Sequence, residues 1–304
     1  MAGPAQAAPP EPTAAPQKPP AKPKRTGVRP DYSTLLGLAI ALSGILGGLI
    51  LEKGKIQDVS QATAAMIVLG GTLGAVMVTM PLPVVLRAFR GLKNVFLEPA
   101  SSTSMIAEQL ILFATKARKS GIVSLETDAA SIADPFFKKA LNLAIDGTDL
   151  QELRKMMEID IAVSEQAAET EAKVWESAGG YSPTIGIIGA VMGLIQVMKH
   201  LEDIKEVGHG IAVAFVATVY GVGAANLFLL PAANKLRGRL RDAVMVKEMT
   251  LEGVIGILEG LNPTLIRLKL EAFDQHSRKP APAKAGKPAK GEKGPQPVPS
   301  GGKA

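Results

Sequence analysis

The chain has 304 residues, 47% hydrophobic but only 4% aromatic, with a mean hydropathy of +0.20 and a formal net charge of +6. The apolar residues are gathered in long blocks, a membrane composition, and the basic excess sits in Pro/Ala/Lys-rich ends and beside those blocks without interleaved aromatics, which argues against nucleic acid as a partner. The absence of cysteine excludes disulfides and thiolate metal sites.

Residues 1–31 read as a disordered basic tail, Pro- and Ala-rich, with Lys22, Lys24, Arg25 and Arg29 near its end. It contains no apolar signal-peptide core, so the first apolar run is expected to stay in the mature protein. That run, Tyr32 to Leu51, is uncharged and has the roughly 20 residues a helix needs to cross a bilayer, with Gly44 and Gly48 at GxxxG spacing. A second span is expected from Ala62 to Leu86, with Gly70, Gly71 and Gly74 inside it, Pro81 and Pro83 near its exit, and Arg87, Arg90 and Lys93 following at once. Residues 32–90 thus hold transmembrane helices 1 and 2.

Residues 91–178 read as a cytoplasmic helical domain. SMIAEQLILFATKARKSG places Ile106, Leu110, Phe113 and Ala117 on one stripe, Arg118 and Lys119 in the last turn, and Gly121 where a helix C-terminus wants glycine. ADPFFKKALNLAID and the long acidic stretch from Asp149 to Ser177, which runs into span three, are further helical patterns.

Residues 179–233 hold helices 3 and 4, an antiparallel hairpin made of YSPTIGIIGAVMGLIQVM and IAVAFVATVYGVGAANLFLL. Gly186, Gly189, Ala190 and Gly193 leave one face of the first bare of bulk, and Ala214, Thr218, Gly221 and Ala225 repeat the device in the second. Pro183, after Ser182, reads as the start of helix 3 and Pro231 as a kink or a stop at the finish of helix 4, both at one membrane surface. Ala190 lies nine positions before Lys199 and Thr218 nine after His209, each about 13 Å from the outer helix end, so the two are expected at one depth. For Thr218 the bland alternative is a bond to its own helix backbone.

Basic clusters precede span one and follow spans two and four, the last with Lys235, Arg237, Arg239 and Arg241. By the positive-inside rule all three face the cytoplasm, giving four crossings with both termini inside. Residues 234–275 read as a cytoplasmic helix broken or kinked at Pro263, and 276–304 as a disordered tail. The fold class is an all-α membrane protein: four transmembrane helices with a helical cytoplasmic domain between helices 2 and 3.

No enzyme signature survives inspection. GGTLGAV lacks the Gly-Lys-Ser/Thr ending of a phosphate loop, and His200, His209 and His276 stand at no metal spacing, so neither catalysis nor a resident cofactor is expected. None of the four spans carries Asp, Glu, Lys or Arg, although a protein that moves protons or cations needs an ionisable group at that depth. Either the bundle is a structural scaffold or another chain supplies the carboxylate; a self-contained transporter is disfavoured by the same absence and by the lack of internal repeats.

ARKSGIVSLE at 117–126, the helix 3 sequence, and AVAFVATVYGVGAANLFLLP, in that order and spacing, resemble the MotA/PomA family of flagellar motor stator subunits, over about Tyr32 to Phe273. The resemblance implies an inner-membrane stator subunit coupling ion flow to torque, pentameric around a MotB/PomB-type single-span partner that carries the missing aspartate. It implies that Pro183 and Pro231 couple protonation of that aspartate to movement, and that Arg118 and Glu126, with Lys119 beside them, meet the rotor protein FliG. Sodium-driven members tend to have threonine where this chain has Ala190, whereas Thr218 matches a threonine of that group, so the transported ion is expected to be H+. An ExbB/TolQ-like energiser is the nearest alternative, but those have three spans with the large cytoplasmic segment after the first.

Overall fold

The computed structural model describes residues 28–99 and 103–277, and these are almost entirely helical. Strand β1 (Val28–Pro30) leads into helix α1 (Tyr32–Leu51), whose start is fixed by Asp31: its carboxylate accepts from the backbone N–H groups of Ser33 and Thr34. The end of the basic tail is therefore built into the fold, since β1 pairs antiparallel with β2 (Leu97–Pro99). The rest of that tail, 1–27, and residues 278–304 of the predicted C-terminal tail lie outside the described residues. Helix α1 buries none of its own residues and is apolar all round, with the length and composition of a membrane-crossing helix.

The second span is a composite of α2 (Ala62–Ala65), a π turn (Met66–Gly70) and α3 (Gly71–Thr79). It stops at Thr79, short of the expected Leu86, because Met80 precedes a proline and is driven into the extended region (φ −131°, ψ 144°). Helix α4 (Leu82–Gly91) is separate and amphipathic, burying Val85 and Ala88, and the short α5 (Lys93–Phe96) follows it into β2.

The cytoplasmic domain contains α6 (Thr103–Ser120), a 3-10 turn (Ile122–Leu125), α7 (Glu126–Ala129) and α8 (Pro135–Ile145). These close around the near end of α9 (Leu150–Lys199), the far end of α11 (Leu230–Leu258), and α12 (Pro263–Ser277). The predicted stripe on α6 is the one that packs: Leu110 and Phe113 are buried against Phe137, Leu141, Met249 and Val254. Apolar burial of this kind is worth about 25 cal/mol per Å², so this cluster is the domain's main source of stability.

Two predicted helix ends do not exist. Helix α9 is one continuous helix of 50 residues with Pro183 in its interior, about 75 Å long, so the division drawn at 178/179 falls inside it. Pro231 likewise does not finish helix 4: α10 (Ile204–Ala224), a π turn (Ala225–Leu229) and α11 form one rod from Ile204 to Leu258, across the division at 233/234. The break expected at Pro263 is present, with Gly260 at φ +67° ending the turn after α11 and Pro263 opening α12. Among the described residues four helices are long and apolar enough to cross a membrane: Tyr32–Leu51, Ile56–Thr79, and parts of the two long rods.

Candidate functional site

The hairpin of α9 and α10 is a tight seam, and its small residues explain why. A Cβ placed on Gly221 would stand 2.6 Å from the Ser182 carbonyl oxygen, and one on Gly193 would stand 2.8 Å from that of Gly210. The opposed atoms are backbone and cannot swing aside, so only glycine lets the two helices approach this closely. Ser182, fully buried, donates its hydroxyl to the Gly221 carbonyl at 3.0 Å, satisfying a polar group deep in the seam.

This packing is the reason α9 passes through Pro183. The proline removes the N–H that would bond the Gly179 carbonyl and crowds that carbonyl with its ring, but the Ser182–Gly221 bond and the Gly186–Gly221 contact hold the helix on both sides. Gly179 in turn leaves room for Leu230, which a Cβ there would meet at 2.5 Å. Pro231 follows directly in the rod, exposed, just after the π turn that widens the helix where its ring would otherwise strike the Leu227 carbonyl. Around this level Trp175 makes edge contacts with Phe89, 5.0 Å between centroids, and with Phe228, 6.2 Å, an aromatic cluster joining α4, α9 and the π turn.

Ala190 and Thr218 do come to one level, since their neighbours Gly189 and Ala217 pack together, a Cβ on the glycine lying 2.8 Å from that of the alanine. Both are half-buried. The Thr218 hydroxyl donates to the Ala214 carbonyl at 3.2 Å in its own helix, the bland alternative named above.

Arg118, Lys119 and Glu126 sit far from the seam, at the tip of the cytoplasmic domain, and all three are exposed. Gly121, at φ +79°, turns the chain after α6, and Leu125, fully buried, pins the turn immediately before Glu126. Among the described residues none of the three takes part in an ion pair, whereas their neighbour Lys116 pairs with Asp128 at 2.5 Å. The sequence pattern thus brings three exposed charges, none ion-paired among the described residues, to one corner.

Between seam and tip run the two rods, and charge ties them together. Arg237 on α11 donates from Nε to Glu169 at 2.9 Å and reaches both carboxylate oxygens of Glu176, all on α9. Arg154 meets Glu252 at 2.8 Å further along. At the membrane end Asp31, only 6% exposed, accepts from Lys235 at 2.5 Å, Ser33 at 2.6 Å and Arg239 at 2.7 Å. Lys235 above all, then the Ser33 hydroxyl, hold its carboxyl well below the usual carboxylate range against the opposing effect of burial. From sequence alone Lys235, Arg237 and Arg239 are only topology signals, and Asp31 does not stand out among them. An Asp directly before an apolar run is an N-cap signature that points to Asp31, but nothing local announces its partners 204 and 208 positions away.

Residues 128–249 match the MotA/TolQ/ExbB proton channel family, and 35–121 match the N-terminal region of motility protein A. Motility protein A of Helicobacter pylori is 37% identical over 240 residues, 79% of this chain and 93% of that protein. Among solved structures, Campylobacter jejuni MotAB superposes with a TM-score of 0.76 at 33% identity, covering 80% of this chain and 95% of the other. The flagellar MotAB stator complex of Bacillus subtilis gives 0.74 at 30% identity, covering 81% and 99%.

Proposed function

The chain belongs to the MotA/TolQ/ExbB proton channel family, and from that premise we propose how its parts divide the work of a flagellar stator subunit that forms an ion channel with a MotB-type partner. The observation that carries the reading is the pairing of a charge-free glycine seam with continuous rods running to an exposed charged tip. The partner supplies the carboxylate that the spans lack, beside Pro183 and Pro231. Protonation removes its charge in a low-dielectric setting and so changes which packing of the surrounding helices is favoured. Because the seam is backbone against backbone, such a change moves whole helices and not single side chains, and the rods deliver it to Arg118, Lys119 and Glu126, which bear on FliG. The assembly is a homopentamer in the bacterial inner membrane with both termini cytoplasmic, and it catalyses no reaction.

We take the ion to be H+. Ala190 offers no ligand, and the Thr218 hydroxyl, which keeps its lone pairs while donating to Ala214, is by itself a poor cage for a partly dehydrated sodium ion. With the chain co-expressed with a single-span, aspartate-bearing partner, the two should copurify, and swimming should persist without sodium and collapse with a protonophore. Failure to copurify would remove the stator reading, and strict sodium dependence would remove the Ala190 argument alone.

The topology has its own check, made clean by the absence of native cysteine. Single cysteines at Ser124, beside the charged tip, and at Lys55, in the link after span one, should react with an impermeant thiol reagent from opposite sides of the membrane. Labelling of Ser124→Cys from the periplasm would overturn the orientation.

A further inference from the structure

Helix α1 stands apart from the rest of the subunit. It buries no residue, and it touches chiefly the turn at Ile56–Val59, α5 and the π turn before Pro231. Between it and that π turn lies a cavity of about 330 Å³, with Thr34, Gly37 and Leu38 on one wall and Phe228, Pro231 and Lys235 on the other. What holds the two walls together is the junction at the cavity's foot. Asp31 caps α1, its backbone N–H donates to the Phe96 carbonyl at 2.8 Å, and its carboxylate binds Lys235 and Arg239. Arg239 also donates to the Leu97 carbonyl, beside the β1–β2 pairing, so three segments of chain meet around Asp31 and Arg239.

The register of the cations matters. Lys235 and Arg239 lie one and two turns beyond Pro231 on the same face of α11, so the face gripped by Asp31 is the face that turns Pro231 towards the cavity. We propose that Asp31 is a positioning residue for coupling: through Lys235 and Arg239 it sets the placement of Pro231 and the base of helix 4 against α1. This rests on the stator reading above. The competing roles are a helix cap, which needs only a side-chain oxygen, and topology, which needs only the cations; neither needs the carboxylate's charge.

Asparagine caps a helix about as well as aspartate, so Asp31→Asn removes the charge and keeps the cap. The full chain, co-expressed with its single-span partner, is tested for membrane level, copurification, swimming speed, and bridging of Leu38→Cys to Leu227→Cys across the cavity by a short bismaleimide. Because Asp31 is the buried member of a partly buried network and its removal leaves two cations facing each other, Asp31→Asn should lower speed and bridging at least about threefold while level and copurification stay within about twofold. Asp31→Glu should restore both, and Lys235→Gln added to Asp31→Asn should cost less than the two changes separately, as groups of one network do. Normal speed and bridging in Asp31→Asn overturn the proposal, as does a loss of speed that follows membrane level, or a loss of bridging at unchanged speed. A wild-type chain that neither copurifies with the partner nor swims would instead remove the stator reading, while the cross-link still reports on the joint.

Discussion

Gly221→Leu should deplete folded subunit from the membrane by about tenfold or more, the largest loss expected from any single change in the seam. The added Cβ would lie 2.6 Å from the Ser182 carbonyl oxygen and 3.0 Å from the Gly186 Cα, both backbone, so relief requires the two helices to part. Parting them breaks the Ser182–Gly221 hydrogen bond and strands a fully buried hydroxyl, on top of the roughly 1 to 3 kcal/mol that overpacking alone costs. A methyl added at Gly223, two positions on, would meet nothing within 4 Å in the subunit, and Gly223→Ala should leave the level unchanged. Quantitative immunoblotting of membranes, with melting of the detergent-solubilised protein, measures both. Gly221→Leu at wild-type level and melting temperature would show that the seam is not what holds the hairpin.

The seam is legible in sequence because glycines three and four apart mark one helix face whatever surrounds them, and the absence of charge is visible residue by residue. The helix ends are not. Ser182–Pro183 carries the local signature of a helix start, and what cancels it is the buried bond from Ser182 to Gly221, 39 positions away. At Pro231 the π turn over Ala225–Leu229 absorbs the ring, a register shift that side-chain periodicity does not encode. Similarly, Val28–Pro30 reads as the end of a solvated tail because the strand it pairs with, Leu97–Pro99, is remote in the chain. Among candidate site residues the pattern predicts the corner that carries Arg118, Lys119 and Glu126, since a helix ending in cations and glycine is a local matter. The Asp31 and Arg237 networks are invisible for the opposite reason: their partners come from other helices.

Arg118→Glu should abolish or severely reduce motility at normal membrane level and normal partner binding. Arg118 closes the last turn of α6, where a cation gains about 0.3 to 1 kcal/mol from the helix dipole, and it is exposed with no ion-pair partner among the described residues. Reversing such a charge costs the fold little, whereas against an oppositely patterned rotor surface it changes register and capture rate. Leu125→Ala, at the same corner, should behave in the reverse way: it empties a fully buried site, costs about 2 to 5 kcal/mol, and should lower abundance along with motility. The contrast separates a charge that acts outward from a side chain that holds the corner. Swimming assays with membrane immunoblots read both, and a compensating charge reversal on FliG should restore rotation to Arg118→Glu but not to Leu125→Ala. If Arg118→Glu lowers abundance as Leu125→Ala does, or swims normally alone and together with Glu126→Lys, the charged corner is solvated surface and torque leaves the subunit elsewhere.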